Sequence, residues 1–525
     1  MPQDNNSFSS LALRLIGIFE DKNLQFSDET VMVNDLLSKV ASFYEKFRTA
    51  MDYGSEETIP RRAIERMLKR MLFLDSTSKT LAEDLVRELI WAGYFPNATV
   101  PQVLINTVTN SIDLHLELRR QIIEKKILGS DEVNEFILQI LSSEIFFILI
   151  PNKEKEAVAN FMFRILKDSV KIEDEIDQTK DIQVFLAVRK SFSKDDLPFL
   201  KYKLFTQIFG RLTSESFNRI ADDFKNGYKE IKYQLVFPRK EKIASHIKKS
   251  TPPFLILYDI LTEERGNIKT LAKDERAFKA RVFAACDKKY STIKRKVRTA
   301  IFRSFIFILI TKAITALAIE GAFESIFLGK IQWFAIGINT ILPPMIMAGA
   351  GLMITTPSRE NSQAIYEDIS KLLFEENPVI AKSLVLKLKS KSSGSLRDYI
   401  FSIFWFFTII LTFGIIWLVL GKLAFNILSK AVFLFFIAII SFLSYRIYQT
   451  AHSYTLINRA NILSPLFDFF FVPILRVGRS LTEGFAQINF ILLVIDFIIE
   501  APFKGLIGFF EQWFLFVASK REELE

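Results

Sequence analysis

Four residues that could do chemistry lie inside long apolar segments of the sequence: Lys312, Asn339, Pro343 and Pro344. An ionisable side chain costs free energy at the depth of a membrane, so it marks a candidate pathway or partner site. Tandem prolines remove two backbone donors and bend a helix, and the carbonyl groups that they free can line a cavity. Discontinuous helices of this kind form the binding sites of many transporters. The four residues therefore predict an intramembrane polar site.

These residues also have structural interpretations. Lys312 follows Arg303 by about two helical turns, and its long side chain can extend back toward the membrane surface. Glu320 and Glu324 can simply mark the outer end of the same segment. The small residues 348–351 permit close helix packing without any transported solute. We prefer packing as the role of this second segment, although it holds the best candidate site in the chain.

Four apolar segments position the candidate site: 304–328, 332–355, 400–420 and 427–448. Each approaches the ~20 residues that a helix needs to cross a bilayer. Lys and Arg are frequent before the first segment and after the second and fourth, whereas the other two connections are short. The positive-inside rule then predicts four transmembrane helices, with both termini in the cytoplasm of a plasma or inner membrane.

A basic stretch precedes the first apolar segment. Residues 267–303 contain no Pro or Gly, so we predict one helix that enters the membrane without interruption. Cations next to a membrane span attract anionic lipid headgroups. The predicted lipid contacts are Lys288, Lys289, Lys294, Arg295, Lys296 and Arg298.

The predicted fold class is all-α. The N-terminal half repeats amphipathic helical patterns, with weak strand character at 228–237 and a sharp break at 251–254, Thr-Pro-Pro-Phe. The predicted parts are a large cytoplasmic helical domain (1–265), a basic juxtamembrane helix (266–303), a first transmembrane hairpin (304–356), a cytoplasmic basic loop with an amphipathic helix (357–399), a second transmembrane hairpin (400–448) and C-terminal interfacial amphipathic helices (449–525).

The C-terminal region allows two interpretations. Residues 485–516 are apolar enough to span, but Asn489, Asp496, Glu500 and Lys504 recur on one helical face. Such a polar stripe fits an in-plane interfacial helix, which we prefer, or a hairpin whose stripe faces the interior of a bundle. The preceding segment 466–475 is too short to cross alone and is interrupted by Pro473.

Motifs of known catalytic sites are absent from the sequence. It contains no GxxxxGK[ST], GxGxxG, GxSxG or HExxH pattern. Cys286 is the single cysteine and the three histidines are far apart, so we predict no catalytic residues, no metal site and no cofactor. The net charge of +9 does not predict a nucleic-acid partner, because much of the basic excess flanks apolar segments.

The sequence favours a membrane-anchored interaction or scaffold protein, in which residues 1–265 bind a protein partner of unknown identity. The alternative is a transporter or channel for a small solute or ion, gated by the cytoplasmic domain. It would use Lys312, Asn339 and the bend at Pro343 and Pro344. Few ionisable residues besides Lys312 are visible within the apolar segments, and ion-coupled carriers usually need several. The scaffold interpretation is therefore preferred. The sequence predicts no oligomeric state.

Overall fold

The structure is a computed structural model that divides into two compact units. The N-terminal unit is built from Phe8–Thr251, Glu376–Leu388 and Asn489–Glu525, and the C-terminal unit from Met1–Ser7, Pro252–Glu375 and Lys389–Ile488. The described residues are 7–20, 29–35, 38–39, 41–43, 45, 56–73, 78–173, 177–329, 331–352, 354, 357–387, 396–423, 425–457, 464–486, 506, 509, 510, 513, 516, 517 and 520.

Helices make up most of the N-terminal unit. They are α1 (Ser10–Glu20), α2 (Ile59–Phe73), α3 (Ser78–Trp91), α4 (Val103–Glu124), α5 (Ser130–Leu149), α6 (Lys153–Leu166), α7 (Asp177–Val188), α8 (Leu197–Phe209), α9 (Phe217–Leu235) and α10 (Lys240–Lys249). Two groups of buried apolar side chains form the core of this unit, one centred on α2 to α5 and the other on α4, α5, α8 and α9. The helices α5 and α6 bend by 115° relative to each other at their junction.

The weak strand predicted at 228–237 is wrong, because most of that segment belongs to α9. Phe217, Ile220, Phe224 and Ile231 recur at helical spacing and are buried on one face. Burial of that face outweighs the local strand preference of the aromatic residues around Tyr228.

The N-terminal unit also contains two short strands, β1 (Val170–Glu173) and β2 (Leu384–Lys387), which pair in parallel. Lys387 forms an ion pair with Glu173 at 3.1 Å. Strand β2 comes from the predicted basic loop 357–399, whose amphipathic helix ends at Phe374. Apart from this pair of strands, the predicted all-α fold class is confirmed for the described residues.

The C-terminal unit begins at Pro252, next to Thr251 of the predicted break. Its helices are α11 (Pro252–Glu263), α12 (Ile268–Leu271), α13 (Glu275–Thr315), α14 (Trp333–Leu352), α15 (Arg359–Phe374), α16 (Leu396–Lys422), α17 (Ile427–Ala451) and α18 (Ser464–Ala486). The compact units therefore divide at 251, whereas the predicted domain boundary is at 265. Asp274 caps α13 by accepting hydrogen bonds from the backbone of Arg276 and Ala277 at 2.9 and 3.1 Å.

Three helices of the described chain are long and apolar enough to cross a membrane: Glu275–Phe327, Tyr399–Lys422 and Ile427–Ala451. The first is α13 with its continuation, so one helix does pass from the basic residues into the apolar segment. The single helix predicted over 267–303 is wrong at its start, because α12 ends at Leu271 and the Asp274 side chain caps a new helix that begins at Glu275. The predicted second span is a shorter apolar helix, Trp333–Gly349, within α14. Helices α13, α14 and α17 pack against one another.

Helix α18 corrects one expectation about the C-terminal region. The helix continues through Pro473 and packs against α16 and α17, so the proline does not interrupt it. The guanidinium of Arg476 lies 5.4 Å from the centre of the Trp405 ring on α16. Most of 485–516, with Asn489, Asp496, Glu500 and Lys504, lies outside the described residues, so both interpretations of that segment stay open.

Candidate functional site

A change of helix type after Thr315 aligns two buried charges. The helix continues from α13 as π-helix over Ala316–Gly321 and again over Glu324–Leu328. In a straight α-helix Lys312 and Glu320 would lie about 80° apart around the axis. A π-helix has more residues per turn, so each residue rotates the chain by a smaller angle around the helix axis. This smaller rotation brings Glu320 back toward the face on which Lys312 lies. The Lys312 Nζ donates to Glu320 Oε1 at 2.6 Å, and both side chains are 0% exposed.

The Glu320 carboxylate joins three helices. Its Oε2 accepts hydrogen bonds from Asn339 Nδ2 of α14 and, at 2.8 Å, from Ser429 Oγ of α17. Asn339 Nδ2 also lies 3.3 Å from the Ser429 carbonyl oxygen. On the other side, the Lys312 ammonium is 5.1 Å from the centre of the Phe436 ring, a distance at which the ring attracts a cation. Glu320 is therefore the centre of a buried interhelical network.

Glu324 extends this network without a cation of its own. Its Oε1 accepts from Asn426 Nδ2 at 2.6 Å and its Oε2 accepts from the Gln332 backbone N–H at 2.7 Å. Asn426 Oδ1 in turn accepts from the Ser429 backbone N–H at 2.8 Å and caps α17. Within the described part of the chain, no Lys or Arg lies at ion-pair distance from Glu324. We call Lys312, Glu320, Glu324, Asn339, Asn426 and Ser429 the polar cluster.

The predicted site residues have different outcomes. Lys312 and Asn339 both donate hydrogen bonds to the Glu320 carboxylate, so the structure brings these two predicted residues together. The interpretation of Lys312 as a residue that extends toward the surface is wrong, because its side chain is fully buried. Pro343 and Pro344 are buried in α14, which continues through them. They deprive the carbonyl groups four residues earlier, those of Asn339 and Thr340, of their usual helical donors.

The sequence interpretation missed the two acidic residues of the polar cluster. Glu320 and Glu324 were interpreted as residues that can mark the outer end of the first apolar segment, whereas both are 0% exposed and hydrogen-bonded to other helices. Their spacing of four residues within an otherwise apolar segment was the available signal, because it repeats one helical face. Asn426 and Ser429 gave no signal, since their contribution depends on how α17 begins beside α13.

Of the two glycines in 348–351, Gly351 lies where α13 and α14 approach each other closely, and Gly349 does not. A Cβ atom on Gly351 would lie 2.8 Å from Ile301 Cγ2, whereas one on Gly349 would meet nothing within 4 Å. The packing interpretation therefore applies to the Gly351 end of α14, and the polar contacts are made through Asn339 earlier in the same helix.

The six predicted lipid contacts do not form one free surface. Lys288 pairs with Glu263 at 2.6 Å, and Lys289 pairs with Asp259 at 3.0 Å, both on α11. Burial raises the pKa of the Asp259 carboxyl, and the hydrogen bond and charge of Lys289 act against that shift. The remaining four side chains are exposed along α13: Lys294, Arg295, Lys296 and Arg298.

Comparisons of the chain with protein-family models, curated proteins and solved structures found no match. In the part of the chain that the structure describes, no three His, Cys, Asp or Glu side chains come together to hold a metal ion. The function has to be argued from the geometry of the polar cluster, because a helical fold alone does not specify an activity.

Proposed function

We propose that this protein is an integral membrane protein that moves a small solute or ion, and that the polar cluster is its binding site. One observation carries the proposal: Lys312, Glu320 and Glu324 are fully buried among helices apolar enough to cross a membrane. Burying ionisable groups there is costly, and such groups usually belong to pathways for ions or substrates.

The surface of α16 supports membrane insertion. Large apolar side chains on this helix are strongly exposed, among them Phe401, Phe404, Phe407, Ile410 and Leu418. Soluble proteins rarely expose apolar patches of this extent, because water contact with such a surface is unfavourable. Lipid is the partner that this surface fits best.

The buried acids also reverse the preference between the two functions predicted from the sequence. The scaffold interpretation was favoured because Lys312 stood almost alone among the apolar segments. With Glu320 and Glu324, the network holds three ionisable side chains, which is the pattern that ion-coupled carriers need. A membrane anchor has no use for them.

The proposed topology places both termini and residues 357–399 in the cytoplasm. In a Cys286→Ser background, a cysteine introduced by Ser392→Cys should resist a membrane-impermeant thiol reagent in intact cells and react after permeabilisation. The matched position is Lys422, which is exposed at the end of α16; Lys422→Cys should react in intact cells. Labelling of the Ser392→Cys protein from outside would overturn this topology.

Transport is tested by flux through the full-length protein in liposomes, over a broad set of ions and small solutes. Asn339→Leu should reduce flux by about tenfold or more, because losing a hydrogen bond to a charged group costs about 1.5–3 kcal/mol and 1.4 kcal/mol is a tenfold effect. Gly349→Ala is the control, since its added Cβ meets no neighbour within 4 Å.

Two outcomes would argue against the site or the function. Equal flux in wild type and in folded Asn339→Leu would remove the polar cluster from the pathway. Absence of any flux, together with crosslinking of residues 1–265 of the full chain to a specific protein in cells, would support the scaffold function instead. That second candidate is favoured by the separate hydrophobic core of the N-terminal unit.

A further inference from the structure

A groove of about 550 Å³ lies between helices α1 and α6 of the N-terminal unit. We call it the α1–α6 groove. Its volume falls within the range of sites that bind small molecules, about 300–1,000 Å³. Most of its described lining is apolar and comes from one face of each helix: Leu11, Leu15 and Ile18 on α1, and Ala157, Phe161 and Phe163 on α6. A ligand that fits this lining has a largely apolar body.

Both walls of the α1–α6 groove are held by contacts outside it. Helix α1 is anchored at its start, because the backbone N–H and the hydroxyl of Ser10 both donate to the Glu376 carboxylate at 2.9 Å. On α6, the Phe163 ring packs edge to face on the Phe185 ring of α7, with the ring centres 6.0 Å apart. The groove is therefore formed before a ligand binds, which lowers the entropic cost of binding.

Two arginines give the α1–α6 groove a positive charge. Arg14 of α1 and Arg164 of α6 line it, and both side chains are exposed. Neither guanidinium forms an ion pair or a hydrogen bond with the described residues, and no Asp or Glu is among the described residues that line the groove. By contrast, the buried Arg189 pairs with two acids of its own unit, at 2.7 and 2.8 Å. The two guanidiniums of the groove are available to an anion from outside the chain.

We propose that the α1–α6 groove binds a long-chain carboxylate, a free fatty acid, with its chain on the apolar lining and its carboxylate bound by Arg14 and Arg164. A guanidinium binds a carboxylate through two parallel hydrogen bonds, and each methylene group removed from water adds to the affinity. The groove belongs to the N-terminal unit, whereas the polar cluster belongs to the C-terminal unit. The inference therefore goes beyond the transport function and does not depend on it.

A single acyl chain fits the α1–α6 groove better than two other anionic partners do. A phospholipid would bring two chains to a lining that comes from one face of α1 and one face of α6. An extended acidic peptide would satisfy the arginines, but its backbone N–H and C=O groups need hydrogen-bond partners. Asn160 is the one uncharged polar side chain among the described residues of the lining. A hydrocarbon chain makes no such demand.

Photolabelling of the full-length protein tests the proposal. The protein is placed in nanodiscs of a zwitterionic phospholipid with palmitate that carries a diazirine in its chain, and the labelled peptides are identified by mass spectrometry. We expect the label on α1 and α6, and excess palmitate should displace it. Hexadecanol has a chain of the same length and no charge. It should compete about tenfold less effectively or worse, because it lacks the charge-assisted hydrogen bonds.

Substitutions separate the charge of the α1–α6 groove from its apolar lining. Arg14→Gln and Arg164→Gln should each reduce the affinity of labelling by about tenfold, since each removes hydrogen bonds to a charged group. The matched control is Arg87→Gln at an exposed position of α3, which should label like wild type. Ala157→Phe keeps both arginines and fills the groove, so it should also lose the label. Circular dichroism checks that each variant is folded.

The outcomes distinguish a fatty acid from other occupants. Labelling that is unchanged in folded Arg14→Gln and Arg164→Gln, equal competition by hexadecanol, or label confined to peptides outside α1 and α6 would overturn the proposal. Displacement by phosphatidylglycerol in the nanodiscs but not by palmitate would assign the groove to a phospholipid, and displacement by an acidic peptide alone would assign it to a protein partner. Both results would reject the fatty acid. None of them changes the flux assay, so the two proposals fail separately.

Discussion

Lys312→Met should destabilise the C-terminal unit by about 3–5 kcal/mol, the cost of removing one partner from a buried ion pair. The substitution keeps an unbranched side chain of similar length but leaves Glu320 charged and buried beside Asn339 and Ser429. The measurement is unfolding of the detergent-purified protein, followed by the fluorescence of Trp333, Trp405 and Trp417, which all lie in the C-terminal unit.

A double substitution identifies the cause of that loss. Lys312→Met combined with Glu320→Gln removes both charges, and we expect it to recover most of the free energy of unfolding, because neither charge is then left unpaired. Lys422→Met is the surface control, expected within about 0.5 kcal/mol of wild type. If Lys312→Met were as mild as Lys422→Met, the ion pair would not be buried as described.

Gly478→Ala should be the most disruptive small substitution in α18. A Cβ atom at this position would lie 1.9 Å from the carbonyl oxygen of Ala438 on α17 and 2.6 Å from its carbon. Backbone atoms cannot rotate away as a side chain can, so α18 must shift off α17. We expect a loss of about 3 kcal/mol or more, at the upper end of overpacking effects, in the same fluorescence-detected unfolding experiment.

The matched control for this clash is Gly414→Ala in the middle of α16, where an added Cβ meets nothing within 4 Å. Ala favours a helix over Gly by about 1 kcal/mol, so this variant should be neutral or slightly stabilised. Equal stability of the Gly478→Ala and Gly414→Ala proteins would contradict the close approach of α17 and α18.

Local pattern was sufficient to predict the long apolar helices and two of the six residues of the polar cluster. The apolar lengths predicted α13, α16 and α17. The absence of Pro and Gly in 267–303 predicted the continuity of α13 from Glu275 onward, but not the break between α12 and α13. Lys312 and Asn339 were recognisable because a polar residue in an apolar segment is conspicuous without any knowledge of its neighbours.

The remaining features depend on contacts between distant parts of the chain. Ser429 meets Glu320 across 109 positions of sequence, and β2 pairs with β1 from more than 200 positions away, so no local spacing could indicate either. Pro473 was expected to interrupt a helix on local grounds. Packing of α18 against α16 and α17 outweighs that local cost, as tertiary contacts commonly do for helices.

The parallel pairing of β1 and β2 has a practical consequence for dissecting this protein into fragments. Between residues 8 and 488 the chain passes from one compact unit to the other at 251, at 375 and again at 388. The last two passages occur because β2 belongs to the N-terminal unit while the segments on either side of it do not. A fragment that stops at 251 or 265 would lack β2 and leave the edge of β1 unpaired. An unpaired strand edge is a template for aggregation. Some of the proteins captured by such a fragment would bind the unpaired edge of β1 and not a surface of the intact protein. A soluble version of the N-terminal unit should therefore include residues 376–388, joined through a short linker.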